Sequence, residues 1–190
     1  GTILTEGLKN SCGKMSFGNN AVTQYCNESK PSAKVHKIML DKWPKCDLAG
    51  DYLTQQKVEE LSKDKKWKKY AIKRGKKVLK DIDKYSFEFD DVSKFVTALN
   101  SSELNDEFDD LMIEKWGRKG MTDYTGILVK RIEQKKNPMD KSKRDQVYNR
   151  AKSEFEAFQK TGKSNQEKEA ASCIQVLKSF GDTMAGHDFI

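Results

Sequence analysis

The chain has 190 residues, 36% hydrophobic and 34% charged, and its 36 Lys and Arg against 29 Asp and Glu leave a net charge of +7. That length suits one domain or two small ones, and the cationic surplus favours nucleic acid, acidic proteins or anionic lipid surfaces as partners. No run approaches the eighteen apolar residues of a membrane-spanning helix, and three prolines with few β-branched runs argue against a sheet protein.

Residues 1–31 read as a cysteine-containing segment packed on a helical bundle that occupies 32–190, a single domain overall. The segment opens GTILTEG without an initiator Met, which a removed signal peptide and a shortened chain would both produce. From residue 32 onward the pattern is helical. Val35, Ile38, Met39 and Lys42 share one side of a helix over 33–43 that Pro44 stops. Leu53, Val58 and Leu61 follow Gly50 in a modest amphipathic segment.

Residues 63–80, KDKKWKKYAIKRGKKVLK, carry ten bases against one acid. Trp67, Tyr70, Ala71, Val78, Ile82 and Tyr85 recur on one helical face. Lys65, Lys68, Lys69, Lys73, Lys76, Lys77 and Lys80 surround the opposite flank. A stacking platform for nucleic acid interleaves rings with bases; here the rings share the aliphatic face, so they are expected in the core and the lysines in solvent. Gly75 weakens the helix by roughly 1 kcal/mol relative to Ala and would let another backbone approach.

Residues 81–114 reverse the balance, with eleven acids against Lys84 and Lys94. Helices that fold back on each other would let the two segments neutralise one another. Phe89, Val92, Phe95, Val96 and Leu99 mark a short helix. Asn100, Glu103 and the Leu99–Leu104 staple signal the next start, and Phe108, Leu111, Met112 and Lys115 continue it to Gly117. Thr122 caps a helix through Tyr124, Ile127, Leu128, Arg131 and Ile132, which stops near Asn137-Pro138. Val147, Tyr148, Ala151, Phe155 and Phe158 run to Gly162. Ser164 and Glu167 open a last helix through Ala170, Cys173, Ile174, Leu177 and Phe180, ending at Gly181. The fold expected is an all-α, compact multi-helix bundle of seven or eight helices, stapled by disulfides.

Cys12, Cys26, Cys46 and Cys173 allow three pairings. Closing the local loop as Cys12–Cys26 would leave Cys46–Cys173 to clamp the early helices to the last. No Cys-x-x-Cys occurs and the only histidines are His36 and His187, so neither a zinc site nor another metal site is expected. Asp109-Asp110 lacks the Gly-punctuated loop of a calcium site. No phosphate-binding loop, nucleophile elbow or cofactor signature appears, so neither an enzyme nor a bound cofactor is expected. Asn27 and Asn100 head Asn-x-Ser sequons and are candidate glycosylation sites, compatible with secretion.

Cys12 and the Tyr25-Cys26 pair resemble the cysteine–tyrosine-cysteine signature of the bicycle proteins, secreted salivary effectors of gall-forming aphids that are rich in charged helices. The likeness covers residues 12–26 and the general character of a small, lysine-rich helical chain. It departs from the pattern in lacking a second Tyr-Cys: Tyr148 is followed by Asn149, and Cys46 and Cys173 would have to serve a degenerate second unit. The resemblance implies a secreted effector that binds a host macromolecule, most simply a host protein, through the lysine surface. Two other functions fit the same residues: nucleic-acid binding through Lys65–Lys80, and carriage of a small ligand between helices.

Overall fold

The computed structural model describes residues 31–116, 121–161 and 167–181. Every regular element among them is helical. The chain divides into two compact units, Gly1–Leu104 and Asn105–Ile190.

In the first unit, α1 (Ala33–Lys42) buries Val35, Met39 and Leu40 and ends ahead of a cis Trp43–Pro44 peptide. The amphipathic segment after it splits into α2 (Asp47–Tyr52) and α3 (Gln55–Leu61). Leu53 leaves helical geometry, and Thr54 Oγ1 accepts from the Lys57 amide at 3.3 Å to start the chain afresh. α4 (Lys65–Lys80) starts at Asp64, whose carboxylate accepts from the amides of Lys66 and Trp67 at 2.7 and 3.3 Å. The periodicity predicted continuation to Tyr85. The helix instead stops at Lys80, and Ile82–Glu88 turn through a 3-10 segment in which Tyr85 takes φ −128°, ψ 34°. Ile82 and Tyr85 are buried all the same.

α5 (Phe89–Leu99) lays Phe89, Val92, Phe95, Val96 and Leu99 into the core, where Trp43 stacks on Phe95 with ring centroids 4.1 Å apart. The N-cap expected at Asn100 falls one residue later. Asn100 takes φ 51°, a left-handed turn that asparagine tolerates and that ends α5. Ser101 Oγ then accepts from the Leu104 amide at 3.5 Å, opening α6 (Ser102–Trp116).

The division between the units falls inside α6. The second unit continues with α7 (Met121–Glu133), α8 (Lys141–Thr161) and α9 (Glu167–Ser179), and α9 packs against both α7 and α8. Its core holds Met112, Trp116, Leu128, Ile132, Val147, Ala151, Cys173, Val176 and Leu177. Trp116 Nε1 donates to Thr125 Oγ1 at 3.3 Å. α7 begins at Met121, one residue before the expected cap; the stops at Gly117 and Gly162 and the cap at Ser164 lie outside the described residues.

The cysteine expectation is corrected in one respect. Cys173 is a free thiol, 1% exposed among the apolar side chains of its unit, so the Cys46–Cys173 clamp is absent. Burial in that core pushes its pKa up to about 11. Cys46 is buried and does not carry a free thiol. Cys12, Cys26 and the sequon at Asn27 lie outside the described residues. Asn100, the other sequon, is half-buried, and its carbonyl accepts from Lys68 Nζ at 3.5 Å.

Candidate functional site

α4 presents two chemically opposite faces. Trp67, Ala71, Gly75, Val78 and Leu79 are buried, with Trp67 8% exposed. Tyr70, expected in the core, is instead part-exposed at one edge of that face, because its hydroxyl must reach Asp41; Arg74 lies along the same edge, and both reach toward α1. The Tyr70 hydroxyl donates to the Asp41 carboxylate, a bond that raises the phenol pKa above its ordinary value. Lys37 sits over the Tyr70 ring, 5.0 Å from its centroid. Arg74 Nε donates to the Leu40 carbonyl at 3.2 Å, and its Nη2 donates to the Trp43 carbonyl. These carbonyls belong to the end of α1, where helical partners run out. The one arginine of α4 is therefore committed to its own fold.

The solvent face is lysine. Of the seven lysines expected on the contact surface, Lys65, Lys69, Lys73, Lys77 and Lys80 are exposed, and Lys66 joins them. Among the described residues none of the six enters an ion pair. Lys68 and Lys76 are half-buried and engaged: Lys68 reaches the Asn100 carbonyl, and Lys76 pairs with Glu103. At the helical angle of 100° per residue, the six free lysines fall within an arc of about 120°. The arc runs the whole length of the helix, roughly 24 Å at 1.5 Å per residue.

The acidic stretch goes largely elsewhere. Glu103 reaches α4, but Asp90 and Asp91 pair with Lys94 on their own helix, and Asp81 pairs with Lys84. Asp106 and Asp110 both hold Lys143 at 2.7 Å. Asp109 is buried against Arg131, with bonds of 2.7 and 2.9 Å to Nε and Nη2, while Arg131 Nη1 donates to the Asn137 carbonyl at 2.7 Å. The expected neutralisation of the basic segment by the acidic one therefore touches the edge of the arc and leaves its centre bare.

Other candidates do not assemble a reactive centre among the described residues. His36 is half-buried, its Nδ1 2.6 Å from the Tyr52 hydroxyl, with no nucleophile in that pairing. Among the described residues no cluster of three or more His, Cys, Asp or Glu is placed to hold a metal. No helix among the described residues is long and apolar enough to cross a membrane. A groove in the second unit is lined by Lys141, Arg144, Asp145, Tyr148, Phe180 and Gly181. Small-ligand carriers rely on predominantly apolar linings, and four of these six residues have polar side chains.

Sequence reasoning missed Lys66, although its position on the wheel lies between Lys73 and Lys77 and would have found it. It assigned Arg74 neither to the lysine flank nor to the core; nothing in the spacing marks an arginine that turns back to cap a neighbouring helix. Comparison with protein-family models, with curated proteins and with solved structures returns no match for this chain.

Proposed function

We propose that this is a non-enzymatic binding protein that docks an anionic macromolecule on the lysine arc of α4. One observation carries the reading: six exposed lysines share one face without ion-pair partners among the described residues, while Trp67 is occupied in packing and Tyr70 in a hydrogen bond. A cationic strip that the protein does not neutralise itself attracts polyanions and speeds their encounter.

The wider setting we propose is a secreted effector of the bicycle type acting on a host macromolecule. The Cys12 and Tyr25-Cys26 arrangement, the two sequons and the absence of a free thiol at Cys46 support it. In this reading Cys46 is held in a disulfide, as small secreted domains commonly require.

The test is retention on polyanionic resins, heparin and immobilised polyglutamate. A K65E/K69E/K73E variant with an unchanged far-UV spectrum should elute from both at clearly lower salt than the wild type. Unchanged elution from both would remove the arc as the contact surface.

A further inference from the structure

We infer that the anion fitted by the α4 arc is the phosphate backbone of a duplex nucleic acid, bound without regard to base sequence. This deepens the proposed function and rests on the arc being the contact surface.

The argument is from what the arc contains and what it omits. Its free cations are all lysine: Lys65, Lys66, Lys69, Lys73, Lys77 and Lys80. Lysine is a point charge on a flexible stem, suited to phosphate and poor at bidentate recognition of base edges. The arginine that could read a base, Arg74, is bonded to the Leu40 and Trp43 carbonyls. No ring is available to stack an unpaired base, because Trp67 is buried and Tyr70 is held by Asp41 beneath Lys37. Single strands would lose that contribution, whereas a duplex keeps its bases to itself.

A protein partner is the weaker match. Protein interfaces draw most of their affinity from buried aromatic and arginine anchors, and lysine is depleted at their centres. The arc offers neither anchor. Insertion into a membrane surface needs an apolar face next to the cationic one, and the apolar face of α4 lies in the core of its unit. A straight duplex supplies what the arc does match. It carries one negative charge per roughly 1.7 Å of axis with both strands counted, so 24 Å of duplex holds about fourteen phosphates around its circumference, enough to supply six ammonium groups from the side that faces the arc.

The experiment measures fluorescence anisotropy with duplexes of about 20 bp in two unrelated sequences, across about 50–200 mM salt. Matched probes are the single strand of equal length, polyglutamate and phosphatidylserine vesicles. We expect the two duplexes to bind within about twofold of each other and more tightly than the single strand, with a log–log salt slope near −5, since each neutralised phosphate contributes about −0.9. A K65A/K69A/K73A variant should shallow that slope by about 3 while keeping the wild-type melting profile. Tighter arc-dependent binding to polyglutamate, to vesicles or to the single strand would overturn the duplex assignment and leave the arc standing. Binding to no polyanion, or binding that the triple variant leaves intact, would overturn both.

Discussion

The side chain of Leu104 lies directly on Gly75: a Cβ at Gly75 would come 2.8 Å from Leu104 Cδ2 and 3.1 Å from Cδ1. Leu104 is fully buried, so it has little room to give way. The glycine that weakens α4 as a helix is what admits the start of α6 against it. G75A alone should therefore destabilise the protein, since overpacking costs roughly 1–3 kcal/mol and exceeds the propensity gain of roughly 1 kcal/mol. In an L104A background the same substitution should become stabilising. Urea denaturation of the four proteins in this cycle measures the sign change; equal effects in both backgrounds would mean that the contact is not limiting.

Asp109 and Arg131 form a bidentate pair in which each side chain is 3% exposed. Burial raises the Asp109 pKa, outweighing the downward pull of the Arg131 hydrogen bond and charge. A carboxyl raised on folding contributes stability that is present below its ordinary pKa and is lost as pH rises through the folded value. At neutral pH the pair thus carries a desolvation cost that its geometry only partly offsets. D109A should lose about 3–5 kcal/mol by leaving a buried guanidinium unpaired, whereas D109L/R131M should recover most of that loss. Thermal melts of the three proteins distinguish the cases; a double variant as unstable as D109A would refute the desolvation argument.

His36 titrates the other way. Burial first, and then the charge of Lys57, hold its pKa below the ordinary value, and its Nδ1 meets the Tyr52 hydroxyl at 2.6 Å. The unfolded chain takes up the proton more readily, so this contribution is present above about pH 6.5 and is lost as pH falls through the folded value. Between about pH 7.5 and pH 5 the wild type should lose more stability than H36Q. Parallel losses in guanidinium unfolding would exclude His36 as the source.

Cys173 should resist iodoacetamide in the native protein and react once guanidinium is added, without any reductant. Its burial and its pKa of about 11 both suppress the thiolate. Peptide mapping by mass spectrometry reads the result. Rapid native alkylation at Cys173 would contradict the packing of α9 against α7 and α8.

Much of this was legible in the sequence because helical periodicity reports burial directly. The rings and aliphatics of the basic segment sit at core spacing, and Trp67, Ala71 and Val78 are buried as that spacing requires. Ile82 and Tyr85 kept the rhythm but not the helix, since a 3-10 turn can return a side chain to the same core. The division into two units left no mark because it falls within α6, without a glycine, proline or composition shift at Leu104–Asn105. Arg131 occupied an apolar position in its helix, a visible sign of a buried cation. Its partner Asp109 was hidden among ten other acids in residues 81–114, and pairing across helices is set by tertiary geometry rather than by spacing.

Differential lysine acetylation, read by mass spectrometry on the intact protein with and without a duplex, tests the lysine arc most directly. Lys65, Lys66, Lys69, Lys73, Lys77 and Lys80 should be protected together, while the exposed lysines of the second unit, such as Lys152 and Lys178, keep their reactivity. Protection centred on those other lysines, or spread evenly over the chain, would mean that the α4 face is only a solvated surface.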